Sequence, residues 1–431
     1  MISLSSLHKR LDENGGFVVK MFPSLVVLLV FLAVSVSGSA QERARTGDEM
    51  FVEKYLDLIK GKSIGIVTNH SGLLPDGRHI ADVLAKVPGV KLVALFGPEH
   101  GIRGNVPDAE VIPNSVDERT GVPVYSLYGA VRQPTAEMLK GIDVLIYDIQ
   151  DVGVRFYTFV STMQLAMEAA AMNHIKFIVL DRPDMLRPDL VDGPLLADSL
   201  RSFVGMQPVP SVYGMTPGEY AAMMNEEGML DGGLKADLEV IRMENYRRDL
   251  WYDRTGLEWV NPSPNLPDMN AVEVYPGTVL IEGTNVSEGR GTDHPFEMIG
   301  APFIDGEKLA ALMNEQLLPG VKFDPVNFTP KPLPWVTDPK YNGQMCHGVR
   351  IQVTDRDEFK PVETGVYLVW AIRQTAQKEL EIRSAEFDRL SGISDVRLLL
   401  ESGATPQEIF DRWNEGMEKF KETREKYLIY E

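Results

Sequence analysis

Short apolar runs alternate with amphipathic segments along the chain from residue 48 to about residue 243. The apolar runs predict strands at 63–68, 90–96, 143–147, 176–180 and 238–243. Between them, the spacing of apolar positions predicts helices at 79–87, 135–140, 159–172 and 217–229. Continuous apolar strands separated by helices are typical of a parallel sheet that is covered on both faces. The pattern therefore predicts an α/β fold built on a Rossmann-like, doubly wound, mostly parallel sheet.

The pattern changes twice in the second half of the chain. From about residue 247 to residue 300 the periodicity weakens, and an irregular segment of this length is usually functional. Beyond Pro302 the pattern predicts helices at 305–317, 362–378, 394–402 and 406–426, with strands near 321–323 and 348–354. We therefore predict a Rossmann-like domain at 41–300, expected to carry the catalytic site, and a smaller C-terminal α+β domain at 301–431.

The first 40 residues have the features of a secretory signal peptide. Residues 24–37 are apolar, Lys20 precedes them, and Gly38-Ser39-Ala40 is a small-residue cleavage pattern. The apolar stretch is shorter than the ~20 residues that span a membrane. We therefore expect cleavage after Ala40, export to the periplasm or the medium, and no stable membrane association afterwards. Met1 and Met21 are both candidates for the start of translation.

Charge and cysteine content narrow the possible partners. The chain has a formal net charge of −19 and residues 1–40 contribute +1, so the remainder carries −20. This acidity disfavours nucleic acids and anionic membranes as partners, and an anionic substrate would need local arginines. Cys346 is the sole cysteine, so the exported fold depends on its hydrophobic core rather than on an intrachain disulfide.

Polar side chains follow four of the predicted strands. Because the carboxyl ends of parallel strands meet at one edge of a sheet, where ligands bind, we expect these side chains to converge on a site. They are Asn69 and His70 after the first strand, Glu99, His100 and Arg103 after the second, Asp148, Asp151, Arg155 and Tyr157 after the third, and Asp181 and Arg182 after the fourth.

Glu99 is the best candidate for a proton donor. It follows Gly97-Pro98 at the end of an apolar strand, where the strand and glycine backbone can shield it from water. Desolvation raises the pKa of a carboxyl group, as a general acid at neutral pH requires. A surface ion pair with Arg103 is the structural alternative. His100 has an open role, either orienting Glu99 or binding substrate.

Asp148 and Asp151 can complete an acid and base pair, or an acid and nucleophile pair, with Glu99. They can equally bind hydroxyl groups or a metal. The candidate metal ligands are His70, His100, Asp148, Asp151, Asp293 and His294. None of the usual ligand spacings, such as His-Glu-x-x-His, occurs among them. We predict that no metal is required.

The segment Gly289-Arg290-Gly291-Thr292 is glycine-rich but does not predict a dinucleotide site. It lacks the full Gly-x-Gly-x-x-Gly pattern, and the first predicted strand runs into Thr-Asn-His-Ser-Gly instead of that fingerprint. We therefore predict no nicotinamide cofactor, and no cofactor of another kind. Arg290, between two glycines, can approach an anionic group closely and act as a carboxylate clamp.

Several long motifs together resemble one family. They are Phe-Gly-Pro-Glu-His-Gly-Ile-Arg-Gly (96–104), Asp-Ile-Gln-Asp-Val-Gly-Val-Arg-Phe-Tyr-Thr (148–158), Pro-Ser-Pro-Asn-Leu-Pro (262–267) and Glu-Gly-Thr-Asn-Val-Ser-Glu-Gly-Arg-Gly-Thr (282–292). In this order they resemble the bacterial exo-β-N-acetylmuramidases, glycoside hydrolase family one hundred and seventy-one. The resemblance covers about 48–431. It implies a Rossmann-like catalytic domain with a C-terminal auxiliary domain, and release of N-acetylmuramic acid from the non-reducing ends of peptidoglycan fragments in cell-wall turnover.

The resemblance implies that Glu99 is the catalytic acid. A second carboxylate, from Asp148, Asp151 or Glu282, or the 2-acetamido group of the substrate, would then assist at the anomeric carbon. The lactyl carboxylate of the sugar needs a cation, and Arg103, Arg155, Arg182 and Arg290 are the candidates. The predicted substrate-binding residues are Asn69, His70, His100, Arg103, Arg155, Tyr157, Asp181, Arg182, Asn265, Glu282, Asn285, Arg290 and Thr292. The alternatives are a non-catalytic protein that binds cell-wall glycans and a metal-dependent hydrolase.

Overall fold

The computed structural model describes residues 42–99, 101–104, 114–414 and 416–431. The predicted signal peptide at 1–40 and the candidate residue His100 lie outside the described residues. None of the helices within these ranges has the length and apolar character that a membrane span requires.

Seven strands form the larger sheet. They are β1 (Ser63–Thr68), β2 (Lys91–Gly97), β3 (Ser115–Val116), β4 (Pro123–Ser126), β5 (Val144–Asp148), β6 (Lys176–Leu180) and β7 (Leu238–Ile241), arranged in the order β3-β4-β2-β1-β5-β6-β7. All neighbouring pairs are parallel except β3 and β4. The strand order reverses between β1 and β5, where Thr68 pairs with Asp148, so this is the switch point of the sheet. The predicted α/β fold with a mostly parallel sheet is confirmed.

Successive residues of the central strands face opposite layers of helices. On one face, Ile146 and Ile178 pack with α1 (Gly47–Met50) and α2 (Ile80–Leu84). On the other face, Tyr147 and Phe177 pack with α3 (Thr158–Met172) and α4 (Pro217–Glu226). Because both faces of these strands are covered, the strands read as continuous apolar runs in the sequence.

A second, antiparallel sheet is formed by the C-terminal half of the chain. Its strands β8 (Met298–Ala301), β9 (Val321–Phe328) and β10 (Cys346–Val353) are arranged in the order β8-β10-β9. The helices of this half are α5 (Met269–Thr278), α6 (Gly306–Glu315), α7 (Pro361–Ala376), α8 (Ser384–Ser391), α9 (Ser394–Ser402), α10 (Pro406–Trp413) and α11 (Met417–Glu425). Arg43–Glu431 form one compact unit, and the predicted division at residue 300 stays a prediction.

Helices α5 and α7 cross with their backbones in contact. A Cβ atom added to Gly277 of α5 would lie 1.9 Å from the carbonyl oxygen of Pro361, and one added to Gly365 of α7 would lie 2.3 Å from that of Gly277. Only glycine allows so close an approach. The crossing fixes the end of α5 and therefore the 3₁₀ turn Val279–Gly283 that follows it.

Three of the predicted elements were wrong in detail. Residues 135–140 form turns and no helix. The helix predicted at 406–426 is two helices, α10 and α11. The helical conformation is interrupted at Gly416, which has a φ of +82°. The segment at 247–300, predicted to be irregular, contains α5 and β8.

Candidate active site

One cavity of about 260 Å³ brings together four of the predicted site residues: Glu99, Tyr157, Glu282 and Arg290. Two of them, Glu99 and Tyr157, come from loops at the carboxyl ends of β2 and β5, and the other two come from the segment between α5 and β8. The cavity is therefore bounded on one side by the parallel sheet and on the other by the C-terminal half of the chain.

Glu99 is presented by a tight loop at the end of β2. The loop folds back closely, since a Cβ atom on Gly97 would lie 3.1 Å from Ile102. Glu99 itself is half-buried. Its Oε2 accepts a hydrogen bond of 3.4 Å from the hydroxyl of Thr158, the first residue of α3. The carboxyl group is therefore held between the sheet and the start of a helix, and it faces the cavity.

Glu282 enters the cavity from the 3₁₀ turn that follows α5. Arg290 donates a 2.9 Å hydrogen bond from Nη1 to Oε1 of Glu282 and a 3.3 Å hydrogen bond to Glu288. Lys340 makes a 2.9 Å ion pair with the other oxygen of Glu288. Burial raises the pKa of Glu282, and the guanidinium of Arg290 opposes that rise. Two carboxylates and two cations thus form one ion-pair network that ends at the cavity.

Aromatic rings form much of the cavity wall. Tyr157 makes edge-to-face contacts with Phe159 at 4.8 Å and with Tyr275 at 6.2 Å, and Tyr275 makes another with Phe296 at 4.7 Å. The Arg290 guanidinium lies 4.9 Å from the centroid of Phe296. Phe296 has a φ of +64°, an unfavourable value for a bulky residue that the surrounding contacts must hold. Such rings offer flat apolar surfaces to the C–H faces of a sugar.

The carboxylates at the ends of β5 and β6 do not line this cavity. Arg182 donates hydrogen bonds to Asp148 at 2.6 and 3.1 Å and to Asp48 at 2.8 Å, and all three side chains are buried. Asp181 accepts hydrogen bonds from Thr216, Gly218 and Tyr430. Burial raises the pKa of Asp181 to about 7. These contacts tie the sheet edge to the N- and C-terminal segments.

Asp151 is buried and does not line the cavity. Its Oδ2 accepts hydrogen bonds of 2.8 Å from the Gly153 amide and from the Tyr213 hydroxyl, while Oδ1 has no hydrogen-bond partner among the described residues. Burial raises the pKa of Asp151 to about 7. Burial and the charge of Asp151 also raise the pKa of the neighbouring Asp184.

Three further candidates from the strand ends make structural contacts. Asn69 accepts hydrogen bonds from both the amide and the hydroxyl of Ser71, which closes the turn after β1. His70 contacts the carbonyl oxygen of Asn261 at 2.7 Å. Arg103 makes ion pairs with Asp82 and Asp117 at 2.8 and 2.9 Å, so the alternative of a pair with Glu99 is wrong.

The Arg155 side chain is also buried and makes structural contacts. It donates hydrogen bonds to the carbonyl oxygens of Pro194, Val209 and Leu390, at 3.0, 3.1 and 2.9 Å. Burial lowers the pKa of Arg155 to about 10. The side chain joins the loops after β6 to the end of α8, and it does not line the cavity.

The remaining candidates do not line the cavity. Asn265 is buried, and its neighbours Ser263 and Leu266 are the lining residues. Asn285 bonds through its side chain to the backbone at Glu379 and Glu381. Thr292 closes a turn by donating a 2.6 Å hydrogen bond to the carbonyl oxygen of Gly289.

A second cavity of about 230 Å³ lies at the switch point of the sheet. Ser71, Gln150 and Arg182 line it from the strand ends, and Tyr252 and Glu258 line it from a later loop. It carries no carboxylate pair comparable to Glu99 and Glu282. The predicted strand-end residues thus divide between two places, and of these two cavities the one that contains Glu99 is lined by two carboxylic acids.

No three His, Cys, Asp or Glu side chains come together as a metal site anywhere in the described ranges. The absence of a required metal stays a prediction, and a cofactor site is not evident from the lining residues. Sequence reasoning missed Thr158, Tyr275 and Phe296, which line the cavity. The one available signal was the density of aromatic residues near the two motifs that carry Tyr157 and Arg290.

Two carboxylic acids in one cavity with aromatic walls meet the requirements of a glycoside hydrolase, in which one acid protonates the leaving oxygen and a second group acts at the anomeric carbon. The comparisons with known proteins agree with this class. Residues 64–270 match the family described as exo-β-N-acetylmuramidase NamZ, N-terminal, and residues 273–430 match its C-terminal counterpart. The chain belongs to the exo-β-N-acetylmuramidase NamZ family.

Individual relatives cover nearly the whole chain. The peptidoglycan β-N-acetylmuramidase NamZ of Bacillus subtilis is 42% identical over 420 residues, which is 95% of this chain and 99% of that protein. Two crystal structures of DUF1343 family proteins from Bacteroides fragilis are each 35% identical and cover 90% of this chain and 99% of theirs, with TM-scores of 0.84 and 0.76. The resemblance predicted from the sequence motifs is confirmed.

Proposed function

We propose that this protein is an exo-acting β-N-acetylmuramidase that hydrolyses terminal, non-reducing N-acetylmuramic acid from peptidoglycan fragments. The observation that carries the proposal is the shared cavity of Glu99 and Glu282. The cavity, at about 260 Å³, is slightly smaller than the ~300–1,000 Å³ of sites for drug-sized ligands. That size suits one substituted sugar ring, as an enzyme that removes terminal residues requires.

Glu99 is the proton donor in this proposal. Its carboxyl group protonates the glycosidic oxygen as the bond to the anomeric carbon breaks, and it later accepts a proton from the attacking water. The Thr158 hydroxyl, which donates to Oε2 of Glu99, fixes the orientation of the carboxyl group.

Glu282 is the second carboxylate in this proposal. Of the three acidic candidates, Glu282 lines the cavity with Glu99. Asp148 and Asp151 do not line it, and they accept hydrogen bonds from Arg182 and Tyr213 instead. Arg290 beside Glu282 favours the ionised form, which stabilises positive charge at the anomeric carbon. The 2-acetamido group of the substrate is the competing candidate for this role, and the stereochemistry of the product and a thiazoline inhibitor distinguish the two.

Export places the enzyme with its substrate in this proposal. The signal peptide predicted at 1–40 would direct the chain to the periplasm or the medium, where peptidoglycan fragments occur. The net charge of −19 supports a saccharide rather than nucleic acid as the partner.

The test is product analysis with two disaccharides that differ in the terminal sugar. The purified protein should release free N-acetylmuramic acid from a disaccharide with muramic acid at the non-reducing end, and release nothing from one that ends in N-acetylglucosamine. Binding of the first disaccharide without turnover would favour a glycan-binding protein instead. Loss of turnover in EDTA, restored by a divalent cation, would favour a metal-dependent hydrolase.

A further inference from the structure

The arginines that the sequence offers for the lactyl carboxylate all have partners within the protein. Arg103 pairs with Asp82 and Asp117, and Arg182 pairs with Asp48 and Asp148. Arg155 is bonded to backbone carbonyls, and Arg290 lines the cavity but is held by Glu282 and Glu288. A substrate carboxylate would therefore have to displace a carboxylate that already neutralises Arg290.

A third cavity, of about 310 Å³, adjoins the one that contains Glu99. The two cavities share lining residues, among them Tyr128, Thr158 and Glu282, so they lie side by side. Arg132 and Arg389 line the adjoining cavity, and neither lines the cavity of Glu99. A substituent of a sugar bound beside Glu99 and Glu282 can therefore extend into a space that contains two guanidinium groups.

Neither guanidinium has an acidic partner in the described part of the chain. Arg132 lies over the ring of Phe203, with 4.4 Å between its Cζ and the ring centroid. Arg389 donates from Nε to the carbonyl oxygen of Ala385 at 2.9 Å, which leaves its terminal nitrogens available. The carboxylates on the same cavity are Glu282, which Arg290 already holds, and Glu386.

The chain is acidic, with 62 Asp and Glu residues against 43 Lys and Arg. Two arginines that line one cavity without acidic partners are therefore unexpected, and they indicate a site for an anion. The stacking of Arg132 on Phe203 holds its planar group in place and reduces the entropy lost when an anion binds. Guanidinium groups bind carboxylates with paired, charge-assisted hydrogen bonds. The cavity is therefore suited to a carboxylate that is carried by the sugar.

We propose that Arg132 and Arg389 bind the lactyl carboxylate of the terminal sugar and so select N-acetylmuramic acid over sugars without that group. This inference rests on the proposed function, since it takes the sugar to occupy the cavity of Glu99 and Glu282. It replaces the four arginines expected from the sequence with two that lie outside the motifs.

The test compares a substrate that has the carboxylate with one in which it is neutral. The probes are 4-nitrophenyl N-acetyl-β-muramide and its lactyl carboxamide, which share a leaving group and differ by one charge. Arg132→Gln and Arg389→Gln should each lower the ratio of kcat/KM between acid and amide by roughly 10- to 100-fold, mostly through KM. Arg132→Lys should restore part of the ratio, because it retains the charge.

Arg201→Gln is the matched control. Arg201 is a nearby surface arginine that is paired with Asp198 at 2.7 Å, and its loss should leave the ratio unchanged. An equal fall in Arg201→Gln would show general electrostatic attraction and overturn the proposal. Unchanged ratios in Arg132→Gln and Arg389→Gln, with a loss only on larger substrates that carry peptides, would assign the arginines to the leaving-group side and overturn it as well.

Failure of the proposed function is measured separately. If the wild-type protein turns over neither probe, calorimetric binding of free N-acetylmuramic acid and N-acetylglucosamine still tests the carboxylate site. Stronger binding of the muramic acid that is lost in Arg132→Gln would support the inference without the activity. Equal binding of both sugars would overturn the inference.

Discussion

Replacement of Glu99 by glutamine removes the proton that the proposed mechanism transfers and little else. The amide has the shape of the carboxyl group, and its oxygen can accept the same hydrogen bond from Thr158. Because Glu99 is half-buried and the contact is long, at 3.4 Å, we expect the free energy of unfolding to change by less than about 1 kcal/mol. The variant should therefore fold as the wild-type protein does.

The loss of activity should depend on the leaving group. General acid catalysis typically contributes about 10²- to 10⁴-fold, which corresponds to roughly 3–5 kcal/mol in the activation barrier. A sugar hydroxylate is a poor leaving group and needs the proton, whereas 4-nitrophenolate leaves without one. Glu99→Gln should therefore lose roughly 10²- to 10⁴-fold in kcat on a disaccharide that ends in muramic acid, and far less on the 4-nitrophenyl glycoside.

The assay measures kcat and KM on both substrates, with Glu258→Gln as the matched control. Glu258 is an exposed carboxylate that lines the other cavity, at the switch point of the sheet, and its replacement should change neither substrate. Full activity of Glu99→Gln on the disaccharide would refute the assignment. An equal loss on both substrates would also refute it, because a residue that only shapes the cavity does not distinguish leaving groups.

Three further predictions concern the second carboxylate, the helix crossing and a buried acid. Glu282→Gln should lower kcat on both substrates alike, and azide should restore part of it if Glu282 is the nucleophile; an unchanged kcat would assign the role to the acetamido group. Gly277→Ala should lower the free energy of unfolding by roughly 1–3 kcal/mol in urea, because the new methyl group meets Pro361 at 1.9 Å, and a neutral result would contradict the close contact. The pKa of Asp151 is raised from 3.8 to about 7, so its protonated form stabilises the fold at low pH, and this stability is lost as pH rises through 7. Asp151→Asn should therefore be more stable than the wild type at pH 8, by up to about 4 kcal/mol, with a smaller margin at pH 5; equal margins at both pH values would contradict the buried, protonated acid.

The sheet could be predicted from the sequence because its strands are buried on both faces. Two strands, at 63–68 and 176–180, have the predicted bounds, and the other strands of the parallel series lie within two residues of them. Short-range signals were less reliable. Residues 135–140 have a helical spacing of apolar positions but form turns, since six residues are too few to stabilise a helix without strong packing.

The site could be predicted in part. The motif around Glu99 and the segment that carries Glu282 and Arg290 converge, as a site of strand-end and loop residues should. Asp148 and Asp181 looked equivalent to Glu99 because each is an acid at the end of a strand. The sequence does not show that Arg182 donates a hydrogen bond to Asp148, or that Tyr430 donates one to Asp181. These contacts depend on packing between distant segments.

The wall opposite Glu99 could not be predicted. It depends on the crossing of α5 and α7 at Gly277 and Gly365, which lie far apart in the sequence, and two glycines alone give no signal of a contact. Arg132 and Arg389 were missed for a similar reason, because each lies outside the motifs and is recognised only by the cavity that it lines.

The proposed function requires that one sugar lies in one cavity, between Glu99 and Glu282. A crystal structure of the Glu99→Gln variant, soaked with a disaccharide that ends in muramic acid, would locate the bound sugar. We expect the muramic acid ring to lie in the cavity with Tyr157 and Phe296, and the glycosidic oxygen to lie within hydrogen-bond distance of the amide at position 99. A disaccharide bound instead in the switch-point cavity, against Gln150 and Arg182, would contradict it.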